Sequence, residues 1–257
     1  MNVLKRVKLV VAYEGTNYCG WQIQPKAITV EKVLNDALSQ LTGENIKIIG
    51  ASRTDAGVHA YGNVAVFNTE STIPGDRFSY AVNRLLPDDV VVQHSCEVRS
   101  DFHPRHCDTI KTYEYKILNT TFWIPQMRNF VWHWPHKLNV EDMQYAANAL
   151  VGEHDFKSFC SVKTEAETTV RTIYSVEVMR EKPESDIILL RIRGNGFLYN
   201  MVRIIAGTLG QVGSGQIPKE RVQAILENCD RQAAGITAPP QGLTLVEIQY
   251  PQNNDVL

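Results

Sequence analysis

The chain has 257 residues, 44% hydrophobic and 21% charged, an ordinary globular composition with length for one to two domains. A net charge of −2 excludes a global attraction to nucleic acid, so any RNA site has to be a local basic patch. Five cysteines, an odd number with no Cys-x-x-Cys pair, argue against a disulfide framework and for reduced thiols in a cytoplasm. The N-terminal apolar stretch is too short for a signal peptide and is broken by charge. No apolar run approaches the roughly 20 residues of a membrane span. A cytoplasmic location is therefore expected, with no membrane partner.

Val7 to Tyr13 is rich in β-branched and aliphatic residues and predicts a first strand. Gly15 and Gly20 punctuate the following loop. Thr29 is suited to cap a helix from Val30 to about Leu41, since Val30, Val33, Leu34, Ala37, Leu38 and Leu41 share one helical face and Gly43 ends it. Ile46 to Ile49 and Asn63 to Phe67 read as strands on either side of a loop that carries Asp55. A helix is predicted over Arg77 to Leu86, stopped by Pro87, and a strand over Val90 to Gln93. This order is the split β-α-β arrangement of ferredoxin-like and RNA-recognition-type units.

The second half repeats the order loosely. Strands are predicted at Thr112 to Leu118, Val170 to Met179, Ile187 to Arg193 and Leu243 to Tyr250. Helices are predicted at Val140 to Val151, Phe197 to Gly210 and Lys219 to Asn228, with an irregular stretch near Lys157 to Thr169. The division falls between about Ser100 and Lys111. Residues 1–105 form an N-terminal half with the Asp55 loop, and residues 106–257 a C-terminal half. No flexible linker marks the boundary. The expected class is α+β: two ferredoxin-like or RNA-recognition-like halves joined through a continuous, mostly antiparallel sheet with helices packed on it.

Arg53, Thr54, Asp55, Ala56 and Gly57 sit between two strand-like runs, where catalytic groups are often placed. The same Asp-x-Gly string also makes a plain turn, and spacing alone does not separate the two. Arg53 shares a face with Asp55 and is a candidate substrate contact. Arg203 lies in an otherwise apolar helical stretch, where it either pairs with a carboxylate or extends its head from the helix edge. Tyr113 and Tyr115 alternate in a strand and point the same way. Candidate phosphate contacts are Lys5, Arg6 and Lys8, then Arg99, Arg105 and Lys111, then Arg191 and Arg193. Trp21 fits an RNA contact or a core position equally, with Gln22 and Gln24 beside it. His94, Cys96, His103, His106 and Cys107 fall close together, but their spacing fits no usual zinc finger or knuckle, and no metal is expected. Gly207, Gly210, Gly213 and Gly215 lack the Lys-Ser/Thr of a phosphate loop and read as helix packing and termination.

Six stretches, taken in order, carry a resemblance. They are Tyr13-Glu-Gly-Thr16 with Gly20-Trp21-Gln22-x-Gln24; Arg53-Thr-Asp55-Ala-Gly-Val-His59; Lys111-Thr-Tyr113-x-Tyr115; Val170-Arg171-Thr-Ile173; Gly194-Asn-Gly-Phe197-Leu-Tyr-Asn200-Met201-Val-Arg203; and Ala238-Pro-Pro-x-Gly242-Leu243-x-Leu245. Together they resemble the TruA-type tRNA pseudouridine synthases over nearly the whole chain. Departures are minor: Cys19 stands before Gly20-Trp21, and Lys111 stands where Arg is common. The resemblance implies an isomerase that converts uridines at positions 38–40, on the 3′ side of the tRNA anticodon stem-loop, to pseudouridine without a cofactor. It names Asp55 as the catalytic carboxylate, Tyr113 as a stacking platform for the target base, and Arg203 as a basic residue reaching toward Asp55. It also implies a homodimer. Whether Asp55 attacks C1′, attacks the base or removes a proton at C2′ is open at this point. A non-catalytic RNA-binding module and a nucleosidase using Asp55 are the alternatives, and neither accounts for six ordered stretches.

Overall fold

The computed structural model describes residues 4–162, 164 and 166–250. The chain is α+β, with mostly antiparallel sheet and few helices packed on it. It divides into two compact units, one of Met1–Thr109 with Leu245–Leu257 and the other of Ile110–Thr244.

The first unit contains β1 (Lys5–Tyr13), α1 (Val30–Thr42), β2 (Ile49–Gly50), β3 (His59–Thr69), α2 (Phe78–Val82) and β4 (Val90–Val98). Most of the closing strand β10 (Leu243–Gln249) also belongs to it. Its strands run in the order β4-β1-β3-β10, with the short β2 on β3. Both neighbours of β1 are antiparallel, Val7 facing Phe67 on one side and Glu97 on the other. Val7, Leu9 and Val11 alternate into one core, as the two-residue period of a strand requires. Phe67 and Phe78 meet edge to face at 5.2 Å. Val66, Val98 and Phe102 form a further cluster with Ile49, Cys96, Cys107 and Tyr250. In α1, Val30, Leu34, Ala37 and Leu38 are buried as the periodicity predicts, while Val33 and Leu41 are half-buried. The Thr29 side chain accepts the Lys32 N–H, and Gly43 takes the left-handed φ of 74° that ends the helix.

The second unit contains β5 (Ile110–Leu118), β6 (Trp132–His133), α3 (Val140–Ala147), β7 (Gly152–Asp155), β8 (Val170–Arg180), β9 (Ile187–Gly194), α4 (Met201–Gly213) and α5 (Arg221–Glu227). Its strands run β5-β9-β8-β7, antiparallel, with β6 added parallel to β5. Apart from Arg203 and Gln211, every residue of α4 is buried, the condition of a helix apolar on all sides. Its glycines admit close neighbours. A Cβ on Gly207 would lie 1.9 Å from the Ile236 carbonyl oxygen, one on Gly210 3.0 Å from the Trp134 ring, and one on Gly213 2.7 Å from the Met143 sulfur. Gly215 (φ 77°) follows the helix. Packing and termination are thus the roles of these four glycines.

Several element limits differ from expectation. Ile46–Ile48 is not strand: Ile46 and Ile48 are buried, but the Ile48 N–H donates to the Asn35 side chain at 2.8 Å rather than to a neighbouring strand. The predicted helix over 77–86 is a 3-10 turn at Gly75–Arg77 followed by five α residues. The helix predicted from Phe197 starts at Met201, because Asn200 adopts a left-handed φ of 61°, which Asn tolerates better than most residues. β4 runs on to Val98. The two short strands β6 and β7 have no strong alternation to announce them.

Candidate active site

The Asp55 segment is held from beneath. Ser52 and Thr54 point into the first unit and are buried, Arg53 is exposed and Asp55 half-buried. Thr54 Oγ1 lies 2.7 Å from the Tyr13 hydroxyl, and the Thr54 carbonyl accepts the Trp21 N–H at 3.0 Å. Asn63, fully buried in β3, clamps the backbone of Ser52. Its Oδ1 accepts the Ser52 N–H at 3.3 Å, and its Nδ2 donates to the Ser52 carbonyl at 3.0 Å.

Beyond Asp55 the chain turns. The Val58 N–H donates to the Asp55 carbonyl at 3.2 Å, with Gly57 at φ 78°, the positive value that the third position of a type II turn requires. The loop after β1 closes on this turn. Gly57 N–H donates to the Tyr18 carbonyl at 3.3 Å, and the Tyr18 hydroxyl donates to the Asp89 carboxylate. Burial, and then that carboxylate, raise the Tyr18 phenol well above its usual range. A Cβ on Gly15 would stand 2.1 Å from the Val58 carbonyl oxygen. His59, 3% exposed, accepts the Gly15 N–H on Nδ1 at 3.0 Å, so in this arrangement Nδ1 carries no proton. The local string is therefore both a turn and a braced platform that presents one half-exposed carboxylate. Arg53 Nη1 donates to Gln22 Oε1 at 3.4 Å. Trp21 is 1% exposed and packs on Gly50, which resolves it as a core residue.

In the second unit, Tyr113 sits in β5 opposite Ile192, 8% exposed, its ring edge-to-face with Phe197 at 5.0 Å. Tyr115 is fully buried and donates to the Pro239 carbonyl at 2.7 Å. Burial raises its phenol, and the charge of Arg203 opposes the shift. Arg203 is half-buried in the first turn of α4. Its Nε donates to the Ala238 carbonyl at 2.8 Å, its Nη1 donates to Asn200 Oδ1 at 2.7 Å, and its own carbonyl accepts the Ala238 N–H. The Ala238–Pro239 backbone thus anchors both Tyr115 and Arg203. Nothing in the sequence pattern revealed that anchor, nor the orienting contact from Asn200.

The candidate phosphate contacts divide. Arg191 faces Glu114 directly across β5 and β9 and donates to it from Nε and Nη2 at 2.9 and 2.6 Å. Arg99 pairs with Asp101 at 2.8 Å and Lys5 with Glu97 at 3.6 Å. These three carry much of their charge into local pairs. Arg105 is exposed, between the stacked rings of His103 and His106 in sequence. Among the described residues, no three His, Cys, Asp or Glu side chains are grouped to hold a metal ion, and no helix is long and apolar enough to cross a membrane.

The family model described as tRNA pseudouridine synthase matches residues 9–106 and 146–251. The tRNA pseudouridine synthase A of Thermoanaerobacter sp. (strain X514) is 49% identical over 247 residues, 96% of this chain and 100% of the relative. The proteins of the same name from Ruminiclostridium cellulolyticum and Acetivibrio thermocellus are 50% and 51% identical over the same shares. The match takes in the braced Asp55 turn, the start of α4 and the closing strand, and the chain belongs to the tRNA pseudouridine synthase family, whose members are isomerases.

Proposed function

We propose that this isomerase converts uridines at positions 38–40, on the 3′ side of the tRNA anticodon stem-loop, using Asp55 as its single catalytic carboxylate and no cofactor. The observation that carries the reading is the half-exposed Asp55 on a turn whose flanking backbone is hydrogen-bonded on both sides. The reaction breaks the C1′–N1 bond, rotates the uracil and joins C5 to C1′. The C5 proton leaves to solvent and N1 gains a proton, so no redox group is called for. One carboxylate suffices, by covalent attack or by moving a proton. It acts as a homodimer in the cytoplasm.

Arg203 is the proposed partner that keeps Asp55 ionised in the closed site. The contacts from Ala238 and Asn200 support this role, because they orient the guanidinium before substrate arrives. Arg203→Ala should lower turnover by about 10²–10³-fold, the scale of losing one preorganised charge. A nearby cation lowers a carboxyl pKa, so its loss should move the acidic limb of the pH–rate profile upward. Full turnover with an unmoved profile would remove Arg203 from the site.

Tyr113 is proposed to stack on the extruded base, with Phe197 bracing its ring. Stacking of this kind is worth about 1–3 kcal/mol per base. Tyr113→Ala should therefore weaken KM by up to about 100-fold, while Tyr113→Phe stays close to wild type. Equal losses would instead assign the role to the hydroxyl.

The positional reading is tested by mapping pseudouridine at single-nucleotide resolution in an unmodified tRNA transcript after incubation with the protein. New pseudouridine at 38, 39 or 40, lost when those uridines are replaced by cytidine, is the expected result. Modification confined to other tRNA regions would overturn it.

A further inference from the structure

We infer that the buried chain of side chains formed by Asn63, Tyr13 and Thr54 is a positioning device that sets the orientation of Asp55 during the reaction. The inference rests on the reading of Asp55 as catalytic and deepens it. Asn63 Nδ2 lies 3.3 Å from the Tyr13 hydroxyl, to which it donates, and that hydroxyl lies 2.7 Å from Thr54 Oγ1. All three residues are buried, Asn63 completely. The Tyr13 ring also packs at 5.9 Å on Trp21, whose N–H holds the Thr54 carbonyl. The residue before Asp55 is therefore tied by both its side chain and its carbonyl to the interior of the first unit. Asn63 adds the clamp on Ser52, so Ser52 and Thr54, two of the three residues ahead of Asp55, are braced from β3 and β1.

Stability alone does not call for this arrangement. A buried hydroxyl pair replaced on both sides by apolar groups of like shape is close to neutral for folding, apart from the Asn63 N–H that would lose its Tyr13 acceptor. Orientation is another matter, because a misplacement of about 1 Å at a reacting group costs on the order of 10²-fold in rate. Tyr13, Thr54 and Asn63 touch neither substrate nor reacting atoms in this account and act only through Asp55.

The test compares wild type, Asp55→Asn, Thr54→Ser and the double variant Tyr13→Phe/Thr54→Val. It measures kcat, KM, tRNA Kd and Tm on the full chain. The double variant should keep KM and Kd and lose only a few degrees of Tm, for the Asn63 N–H left without its Tyr13 acceptor, while kcat falls by about 30–100-fold. Thr54→Ser, which keeps the hydroxyl, should stay within about threefold of wild type. Wild-type kcat in the double variant beside an inactive Asp55→Asn would overturn the positioning role and leave the role of Asp55 intact. An active Asp55→Asn would overturn both. If the double variant fails to fold, Thr54→Val against Thr54→Ser decides: a lower kcat for Val at equal KM supports the inference, and equal kcat overturns it.

Discussion

Asp55→Asn should lose about 10⁴-fold in turnover, the upper end of what one acid–base group contributes, while the protein stays folded and still binds tRNA. The expectation follows from where the side chain stands. Asp55 is half-buried at the rim of a platform that backbone groups and Thr54 hold to the interior of the first unit. Asn has nearly the shape of Asp and tolerates the same turn. Removing the charge should therefore leave Tm within a few degrees and Kd within a few-fold. A variant that has lost both binding and stability would mark Asp55 as structural. One that binds normally and turns over slowly would mark it as chemical.

Gly207→Ala should be among the most damaging single substitutions in the second unit. In an exposed helix interior the change from Gly to Ala stabilises by about 1 kcal/mol. Here the new methyl would meet the Ile236 carbonyl oxygen at 1.9 Å. That oxygen belongs to backbone, so relief requires the 234–238 segment or the helix itself to move. Overpacking of this kind costs about 3 kcal/mol at its upper range. For a chain of this size that is a fall in Tm of roughly 6–12 °C. Gly207 lies one turn after Arg203, and Ala238 exchanges two hydrogen bonds with Arg203. Displacing the segment should therefore also lower activity in whatever fraction remains folded. Thermal melts together with kcat at a permissive temperature check both parts. A Tm equal to wild type would contradict the contact.

The legible parts of the fold are those where local chemistry agrees with tertiary demand. α1 is the clearest case: Thr29 caps it, Gly43 stops it, and its apolar stripe is the face that is buried. Helix limits were less legible where a polar residue does unexpected backbone work. Asn200 takes a left-handed conformation that halts what reads as continuous helix, and the same side chain then holds Arg203. The motif strings located Asp55, but the means of holding it lay outside any local window. Thr54 meets Tyr13 across 41 positions and Asn63 meets Tyr13 across 50. The one sequence sign was an Asn inside the apolar run Asn63 to Phe67, a buried polar group in need of partners. The pairing of Arg191 with Glu114 depends on strand register, which no count of alternating cations supplies. His59 closes the same string as Asp55, and burial with Nδ1 on the Gly15 N–H makes it part of the brace.

As it rejoins the base through C5, this chain should detach the C5-bound hydrogen of tRNA uridine. Tritium release from a tRNA transcript carrying 5-tritiated uridine measures that event directly. Wild-type protein should release tritium in an amount matching the uridines at positions 38–40, with no free uracil formed. No release from any tRNA bearing those uridines, or release accompanied by free uracil, would contradict it.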